Sequence, residues 1–538
     1  MGLTDHLQTL GAIRRTGLLA PIRPDRALRL AREAGRWGQT AAAAVAMSAI
    51  RHPNRTAIVD DAGRLTWDEL DRRTNALARG LQARLPAVDG PPVVGLLARN
   101  HRGFVEGLIV AAKLGTDAVL LNTGFAGRQL GEVSRREGVT VLLHDADLGD
   151  VVADAGLAGL TVLPLWPDGL AGSADDGPLA TPPQTGSVVI LSSGTTGTPK
   201  GAKRDLSSSG DGRRGGGRST LGSSIAMLSR IPVRGGETTL ISAPLFHSWG
   251  LSHALLCAAF ASPMVLRPKF DPEDVLATIE RERPGTYIAV PAMLQRILAL
   301  PEDVRARYDT SSLRAVALSG SALPGGLATR WMDAFGDHLH SLYGSTEVAA
   351  VSIAGPADLR AAPDTAGPIV PGVDVRFLNP SGRTVPAGQT GRIFVRSGLL
   401  FEGYTGGGTK EVIDGYMSTG DVGHLDGGRL FVDGREDDMI VSGGENVFPQ
   451  EVEEAILDHP AVAEAAVVGV ADEEFGQRLR AVIVAAPGGV RPTADDIRDH
   501  VRTRLARYKV PRDVVFRDEL PRNTTGKVLR RVLVDEAG

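Results

Sequence analysis

The sequence predicts an α/β protein: a large N-terminal domain of parallel αβ units, a β-rich subdomain, and a small C-terminal α+β domain. Three observations predict it. From Thr56 onward, short apolar runs alternate with stretches of helical period, as parallel αβ units require. After Ala366 the pattern changes to short strands separated by turn residues. The chain then closes with helix starts near Pro449 and at Thr493 set among short strands, a small α+β unit.

The elements follow in order. Residues 1–55 carry nine arginines against three acids, and Ala27, Leu30, Ala31, Ala34 and Trp37 fall at helical spacing. That pattern suits a helix packed on its own domain; the alternative is peripheral contact of residues 14–37 with an anionic membrane surface. Residues 56–59 read as a strand. Thr66 caps a helix over 67–84, and Glu69 completes a capping box. Strands at 93–97, 118–121 and 139–143 accompany a helix over 102–114. From 147 to 185 an Ala/Gly/Asp/Pro-rich stretch reads as surface connection. Residues 188–191 then read as a buried strand, and 203–224 as a low-complexity Ser/Gly/Arg excursion. Strands at 239–242, 313–319 and 338–342 each end in a turn, and one at 287–290 leads to a helix opened by Pro291. The β-rich part holds strands at 373–378, 391–395 and 429–432, and the C-terminal part strands at 465–470, 480–486 and 514–516.

A length of 538 residues allows two or more domains. The net charge of −4 argues against a nucleic-acid partner. Cys257 is the single cysteine, which rules out an intrachain disulfide and suits a reducing compartment. No run reaches the ~18 apolar residues of a membrane span, and the N-terminus lacks a signal-peptide core. A cytoplasmic location is expected. Oligomeric state is not legible.

The first chemical signal is Ile-Leu-Ser-Ser-Gly-Thr-Thr-Gly-Thr-Pro-Lys-Gly-Ala at 190–202. Glycines let a backbone present successive N–H groups, hydroxyls add donors, and Lys200 adds a point charge. Such a loop suits a polyphosphate. It is not a Walker motif, because Gly197 is followed by Thr-Pro-Lys-Gly rather than by four residues and Gly-Lys-Ser/Thr. A flexible Ser/Thr/Gly linker is the alternative reading.

Taken in order, the motifs at 192–202, 244–250, 319–324, 343–347, 418–421 with 434–453, and 521–527 resemble the adenylate-forming superfamily. That group holds acyl-CoA synthetases, amino-acid adenylation domains and firefly-type luciferases. The resemblance covers nearly the whole chain from about residue 50, and it implies two half-reactions. A small-molecule carboxylic acid attacks the α-phosphorus of ATP, giving an acyl-AMP and pyrophosphate. A thiol, usually that of coenzyme A, then takes the acyl group and releases AMP. The implied cofactors are ATP, Mg2+ and coenzyme A.

The resemblance also implies residue roles. Ser192, Ser193, Gly194, Thr195, Thr196, Gly197 and Lys200 should grip the β- and γ-phosphates. Gly320, Ser321 and Ala322 match the adenine-facing turn, and Tyr343 the aromatic stacked on the base, with Gly344, Ser345 and Thr346 beside it. Glu347 matches the carboxylate that binds Mg2+. Asp421 matches the acceptor of both ribose hydroxyls, assisted by Arg435. Residues 435–437 match a hinge between a 1–434 domain and a mobile 438–538 domain, with Asp437 as pivot. Ser442, Gly443 and Gly444 should line a pantetheine tunnel. Lys527 matches the lysine that bridges substrate carboxylate and α-phosphate. Catalytic roles thus fall to Lys527, His247 and Thr195.

Amino-acid-activating members hold the substrate ammonium with an aspartate in a Phe-Asp-x-Ser-like motif. Here Phe246-His247-Ser248 lacks that acid, which argues for a plain carboxylic acid. The acyl pocket is expected between His247 and the helix after it, the 319–323 turn and the 343–348 turn. Leu251, Ala254, Leu255, Ala258 and Ala259 make an apolar helix face suited to an alkyl chain. With the basic N-terminus, this resembles actinobacterial-type fatty acyl-CoA synthetases, so a medium- or long-chain fatty acid is expected. The alternatives are an aryl acid, and transfer to a carrier-protein thiol or an amine. A silent binding protein on the same fold is a further class, against which intact Lys527, Glu347, Asp421, Thr195 and Thr196 speak.

Overall fold

The computed structural model describes residues 23–535, apart from 87–89, 167–171, 193–198, 205–227, 229, 402, 443–444, 473–475, 487–489 and 524–525. The chain divides into two compact units. The first is Met1–Leu318 with Thr346–Ala349 and Gly398–Lys410; the second is Ser319–Ser345, Ala350–Ser397 and Glu411–Gly538.

The first unit contains a sheet ordered Thr161–Trp166, Val141–Asp145, Val93–Leu97, Asp117–Leu120, Val188–Ser192, Lys200–Arg204. All pairs are parallel except the last. Its inner strands are near-continuous apolar runs, as a sheet covered on both faces needs. A second array runs from Gly63–Thr66 through Thr56–Asp60, Met264–Leu266, Thr239–Ile241 and Thr286–Ala289 to Ala315–Leu318, parallel beyond its first, antiparallel pair. Asn100 ties the two sheets at their carboxyl ends. Its Nδ2 donates to the carbonyls of Ile241 (3.2 Å) and Ala243 (2.9 Å), and its Oδ1 accepts from Leu245 N at 2.9 Å. Ligand sites on parallel sheets form at such ends.

The second unit holds an antiparallel sheet built from Asp374–Leu378, Gly391–Arg396, Val412–Ile413, Tyr416–Asp426 and Arg429–Arg435. A further sheet joins Glu445–Val447, Ile440–Ser442, Gly476–Ala485 and Val462–Asp472, with Asp513–Arg517 parallel to Gly476–Ala485. Helices Pro449–Leu457 and Ala494–Arg502 cover it through Val452, Ile456, Ile497 and Val501.

Several expectations need correction. Residues 147–185 are not only surface connection: they contain helix Gly149–Ala153 and strand Thr161–Trp166, with Leu165 5% exposed. Pro164 disguised that strand, but it sits at the sheet edge, where a missing N–H costs nothing. Lys200–Arg204 is a strand rather than loop, and the rest of the 203–224 excursion lies outside the described residues. Strand Leu339–Ser345 runs on through Tyr343, Gly344 and Ser345, which the sequence reading had placed in a turn. The aromatic Tyr343 carries the β pattern onward, and reversal waits until Thr346–Val348, after which Ala349 takes φ 62°.

The N-terminal helix, Pro24–Trp37, lies on the first unit by one edge. Leu30 and Trp37 are buried, Trp37 among Ala42, Ala43 and Ala46, whereas Ala27, Ala31 and Ala34 are exposed. Among the described residues no helix is long and apolar enough to cross a membrane.

Helix Trp67–Gln82 carries the expected capping box: Glu69 N donates to Thr66 Oγ1 at 3.3 Å, and Thr66 N to Glu69 Oε2 at 2.8 Å. Thr66→Ala should cost about 1 kcal/mol of stability. A urea midpoint unchanged from the parent would refute this.

Candidate active site

In the first unit, Val188–Ser192 and Lys200–Arg204 pair antiparallel with Ser192 opposite Lys200. They form the neck of the glycine-rich loop. Ser193, Gly194, Thr195, Thr196 and Gly197 lie outside the described residues. Gly201 in the neck leaves no room for a side chain, since a Cβ would stand 2.6 Å from Glu137 Oε2 and from Thr405 Oγ1. Thr405 N donates to the Gly201 carbonyl at 2.8 Å, docking the 398–410 segment on the neck.

That docking brings up a residue the sequence reading missed. The Tyr404 hydroxyl donates to Glu347 Oε1 at 2.9 Å, and the Lys200 ammonium lies 5.3 Å from the centre of its ring. The ring face attracts a cation at that range. Phe401 N donates to the Glu347 carbonyl at 2.8 Å, so Glu347 is held by backbone and side chain and is 8% exposed. The mark in the sequence was an aromatic pair, Phe401 and Tyr404, beside a glycine cluster.

His247 stands at the N-cap of helix Ser248–Ala259 and lines a cavity of about 20 Å³ with Leu120, Asn122, Phe125, Leu191, Pro199 and Phe246. Leu191 and Pro199 flank the neck, so His247 sits against the base of the loop. Burial lowers its pKa to about 4, and the imidazole is neutral at pH 7. Its Nε2 has no hydrogen-bond partner among the described residues.

In the second unit, Tyr416–Asp426 and Arg429–Arg435 form a hairpin through Gly427 (φ 53°) and Gly428 (φ 78°), the left-handed pair such two-residue turns demand. The register sets Asp421 opposite Arg435. Asp421 is therefore a mid-strand residue. Arg435 Nη1 lies 3.6 Å from Asp421 Oδ1, and Tyr343 Oη donates to Asp421 Oδ2 at 2.6 Å. Burial, then the Asp421 charge, raises the Tyr343 pKa well above the usual phenol value, so the hydroxyl stays a donor.

Lys527 joins this group. Asn523 clamps its turn: Lys527 N donates to Asn523 Oδ1 at 2.9 Å, and Asn523 N to the Lys527 carbonyl at 2.9 Å. Gly526 takes φ 78°, which favours glycine. Burial lowers the ammonium pKa, the nearby Arg435 charge lowers it further, and Asp438 and Asp421 oppose the shift. Gly320 follows strand Ala315–Leu318 with φ 93°, and Ser321 and Ala322 are exposed. Ser442 ends its strand opposite Glu445; Gly443 and Gly444 lie outside the described residues.

Family models match both parts of this arrangement: "AMP-binding enzyme" over residues 45–405, and "AMP-binding enzyme C-terminal domain" over 451–527. The chain belongs to the AMP-binding enzyme family. A feruloyl-CoA synthase of Amycolatopsis is 36% identical over 488 residues, covering 89% of this chain and 95% of that protein. The long-chain-fatty-acid–CoA ligase FadD13 of Mycobacterium tuberculosis is 30% identical over 488 residues, with 88% and 93% covered. Among solved structures, the anthranilate CoA ligase AuaEII in complex with anthranoyl-AMP has a TM-score of 0.80 at 26% identity, with 93% and 97% covered. This AMP-binding enzyme is thus of the acid–CoA ligase type, and its fold is that of the adenylate-forming superfamily.

Two outcomes follow from the second-unit cluster. Tyr343→Phe removes the hydroxyl on Asp421 but keeps the ring; on the expectation that Asp421 accepts the ribose hydroxyls, Kd for ATP should rise roughly three- to tenfold, the worth of one hydrogen bond, and an unchanged Kd from nucleotide titration counts against it. On the expectation that the Lys527 ammonium bridges substrate carboxylate and α-phosphate, its lowered pKa should make acyl-AMP formation decline with rising pH below the ordinary lysine value. Lys527→Arg should lose that alkaline limb in pyrophosphate-exchange profiles, and an identical limb in the variant removes Lys527 as its source.

Proposed function

We propose that the chain is an AMP-forming acid–CoA ligase whose substrate is an aromatic carboxylic acid. In the first half-reaction a carboxylate oxygen bonds to the α-phosphorus of ATP and the bond to the β-phosphate oxygen breaks, releasing pyrophosphate. In the second, the coenzyme A sulfur bonds to the acyl carbon, the thiol proton leaves, and AMP departs with the anhydride oxygen. Both steps bring together groups of like charge, so the protein's task is positioning and neutralisation.

The residues suit that task. Thr195 and Thr196 are the proposed grip on the departing phosphates, with Lys200 at the loop's neck. Asp421, held by Tyr343 and Arg435, is the acceptor for the ribose hydroxyls. Lys527 is the cation between carboxylate and α-phosphate, and the charge reach between it and Asp421 supports that pose. Glu347 is the proposed ligand of Mg2+: among the described residues no trio of metal-ligating side chains exists, and Mg2+ held by substrate phosphates needs only one or two carboxylates. When bound, that ion would screen the phosphate charge.

The alkyl reading loses its main support in helix Ser248–Ala259. Its Leu251, Ala254, Leu255 and Ala258 were expected to hold an alkyl chain. Instead they pack on helices Ala41–Arg51 and Arg102–Leu114 around a cavity of about 20 Å³, room for a water molecule and not for an acyl chain. Ala259 is exposed. The feruloyl-CoA synthase relative supports an aromatic acid as well, while the FadD13 relative keeps a medium- or long-chain fatty acid as the second reading. ATP–pyrophosphate exchange over fatty acids, benzoates and arylpropenoates decides between them: the best kcat/KM should fall on an aromatic acid, and a best rate on an alkyl acid overturns the proposal. Thioester formation on adding coenzyme A tests the acceptor.

Residues 435–437 are the proposed hinge of the 438–538 domain. Asp438 N donates to the Arg435 carbonyl at 3.3 Å across an exposed Glu436-Asp437 turn, and Arg435 Nη2 lies 3.3 Å from Asp437 Oδ1. Rotation there would have to break the bond from Glu436 N to the Gly420 carbonyl and the Arg392–Glu436 ion pair, both at 3.0 Å. Asp437→Pro should spare acyl-AMP formation and slow thioester formation by tenfold or more on the scale of mispositioned groups. Equal losses in both half-reactions would argue for simple misfolding.

A further inference from the structure

Tyr404 belongs to the 398–410 segment and is fixed at several points. It forms an antiparallel bridge with Ala202, in strand Lys200–Arg204. Its amide donates to the Gly408 carbonyl at 3.1 Å, and its own carbonyl accepts from Gly407 N at 2.9 Å. Its neighbour Thr405 donates from N to the Gly201 carbonyl. The Phe401 ring meets the Tyr404 ring edge-on, with centroids 4.8 Å apart. A phenol anchored by backbone and ring in this way holds its hydroxyl in one place.

That hydroxyl meets Glu347. Tyr404 Oη donates to Glu347 Oε1 at 2.9 Å, and Glu347 is buried. A glutamate carboxylate sits at the end of three rotatable bonds, and a directional donor to the charged group removes much of that freedom. A phenol is also a donor that brings no charge of its own. A lysine or arginine in its place would neutralise the carboxylate and weaken its hold on a cation. Carboxylates that ligate metals are themselves oriented by such outer donors, and losing the donor typically costs about ten- to a hundredfold in metal affinity or activity.

We infer that Tyr404 is a positioning residue for adenylation, its hydroxyl holding the Glu347 carboxylate in the orientation that receives a divalent cation. This rests on the reading of Glu347 as the Mg2+ ligand. Tyr404 acts through Glu347 and does not itself meet the cation. Its segment also docks on the neck of the glycine-rich loop through Ala202 and Gly201, so Tyr404 sets the spacing between that neck and the carboxylate. An ion that must meet phosphate oxygens and Glu347 together depends on that spacing.

Tyr404→Phe removes the hydroxyl and keeps the ring face that Lys200 meets. With α,β-methylene-ATP bound, Mn2+ serves as the probe ion and its affinity is read by electron paramagnetic resonance. The Kd for Mn2+ should rise about tenfold in Tyr404→Phe, while that for the metal-free nucleotide stays within about twofold of the parent. In pyrophosphate exchange the Mg2+ concentration giving half the maximal rate should rise by about the same factor, and the rate at saturating Mg2+ should fall by less than about threefold. An unchanged Kd for Mn2+ overturns the role of Tyr404. So does an equal loss of affinity for the metal-free nucleotide, which would mean a packing role. Glu347→Gln separates this role from the reading beneath it. If Glu347→Gln weakens Mn2+ and Tyr404→Phe does not, the role of Tyr404 alone fails. If Glu347→Gln leaves the Kd for Mn2+ unchanged, Glu347 is not the metal ligand and both fail.

Discussion

The carboxylate of Asp421 is the point on which the polar cluster of the second unit depends. Cross-strand register sets Arg435 opposite it, and Tyr343 reaches it from another strand. Two long side chains are thereby oriented by one short one. A one-residue slip in the hairpin would send Asp421 to the other face of the sheet. The Gly427-Gly428 turn and the hydroxyl bonds of Ser418 and Thr419 to the backbone of Gly420 and Asp421 resist that slip. Lys527 belongs to the same group electrically: Asp421 favours its charge while burial and Arg435 oppose it.

The first unit solves a related problem with a different device. Glu347 is nearly buried and held from two sides. Tyr404 takes one oxygen, the Phe401 amide takes the carbonyl, and the Tyr404 ring offers its face to Lys200. One aromatic residue therefore links a carboxylate to a lysine without neutralising either. The left-handed backbone of Ala349 directly beyond the turn is a strained conformation for a residue with a side chain, and such strain gathers at functional sites.

Much of this was legible in the sequence, and the reason differs by residue. Helix Arg102–Leu114 and the Thr66–Glu69 capping box are local features, set by period and by hydrogen bonds within one turn. Asp421 and Lys527 were legible as motif members. Asp421's place in the middle of a strand was not, because Ser-Thr-Gly-Asp has turn composition and its β conformation comes from Gly391–Arg396 and Arg429–Arg435 on either side. Tyr404 was missed because its role rests on partners made visible only by folding. Pro164 misled by a rule that holds for central strands and lapses at an edge.

The helix after His247 shows why chemistry reads more easily than specificity. An apolar face at helical spacing states that something apolar will cover it. It does not say whether the cover is substrate or protein. In Ser248–Ala259 the apolar face found helices Ala41–Arg51 and Arg102–Leu114, and the cost of leaving it open would have been roughly 25 cal/mol per Å². A buried polar atom is the more informative signal, since apolar packing cannot satisfy it. His253 Nε2 is such an atom.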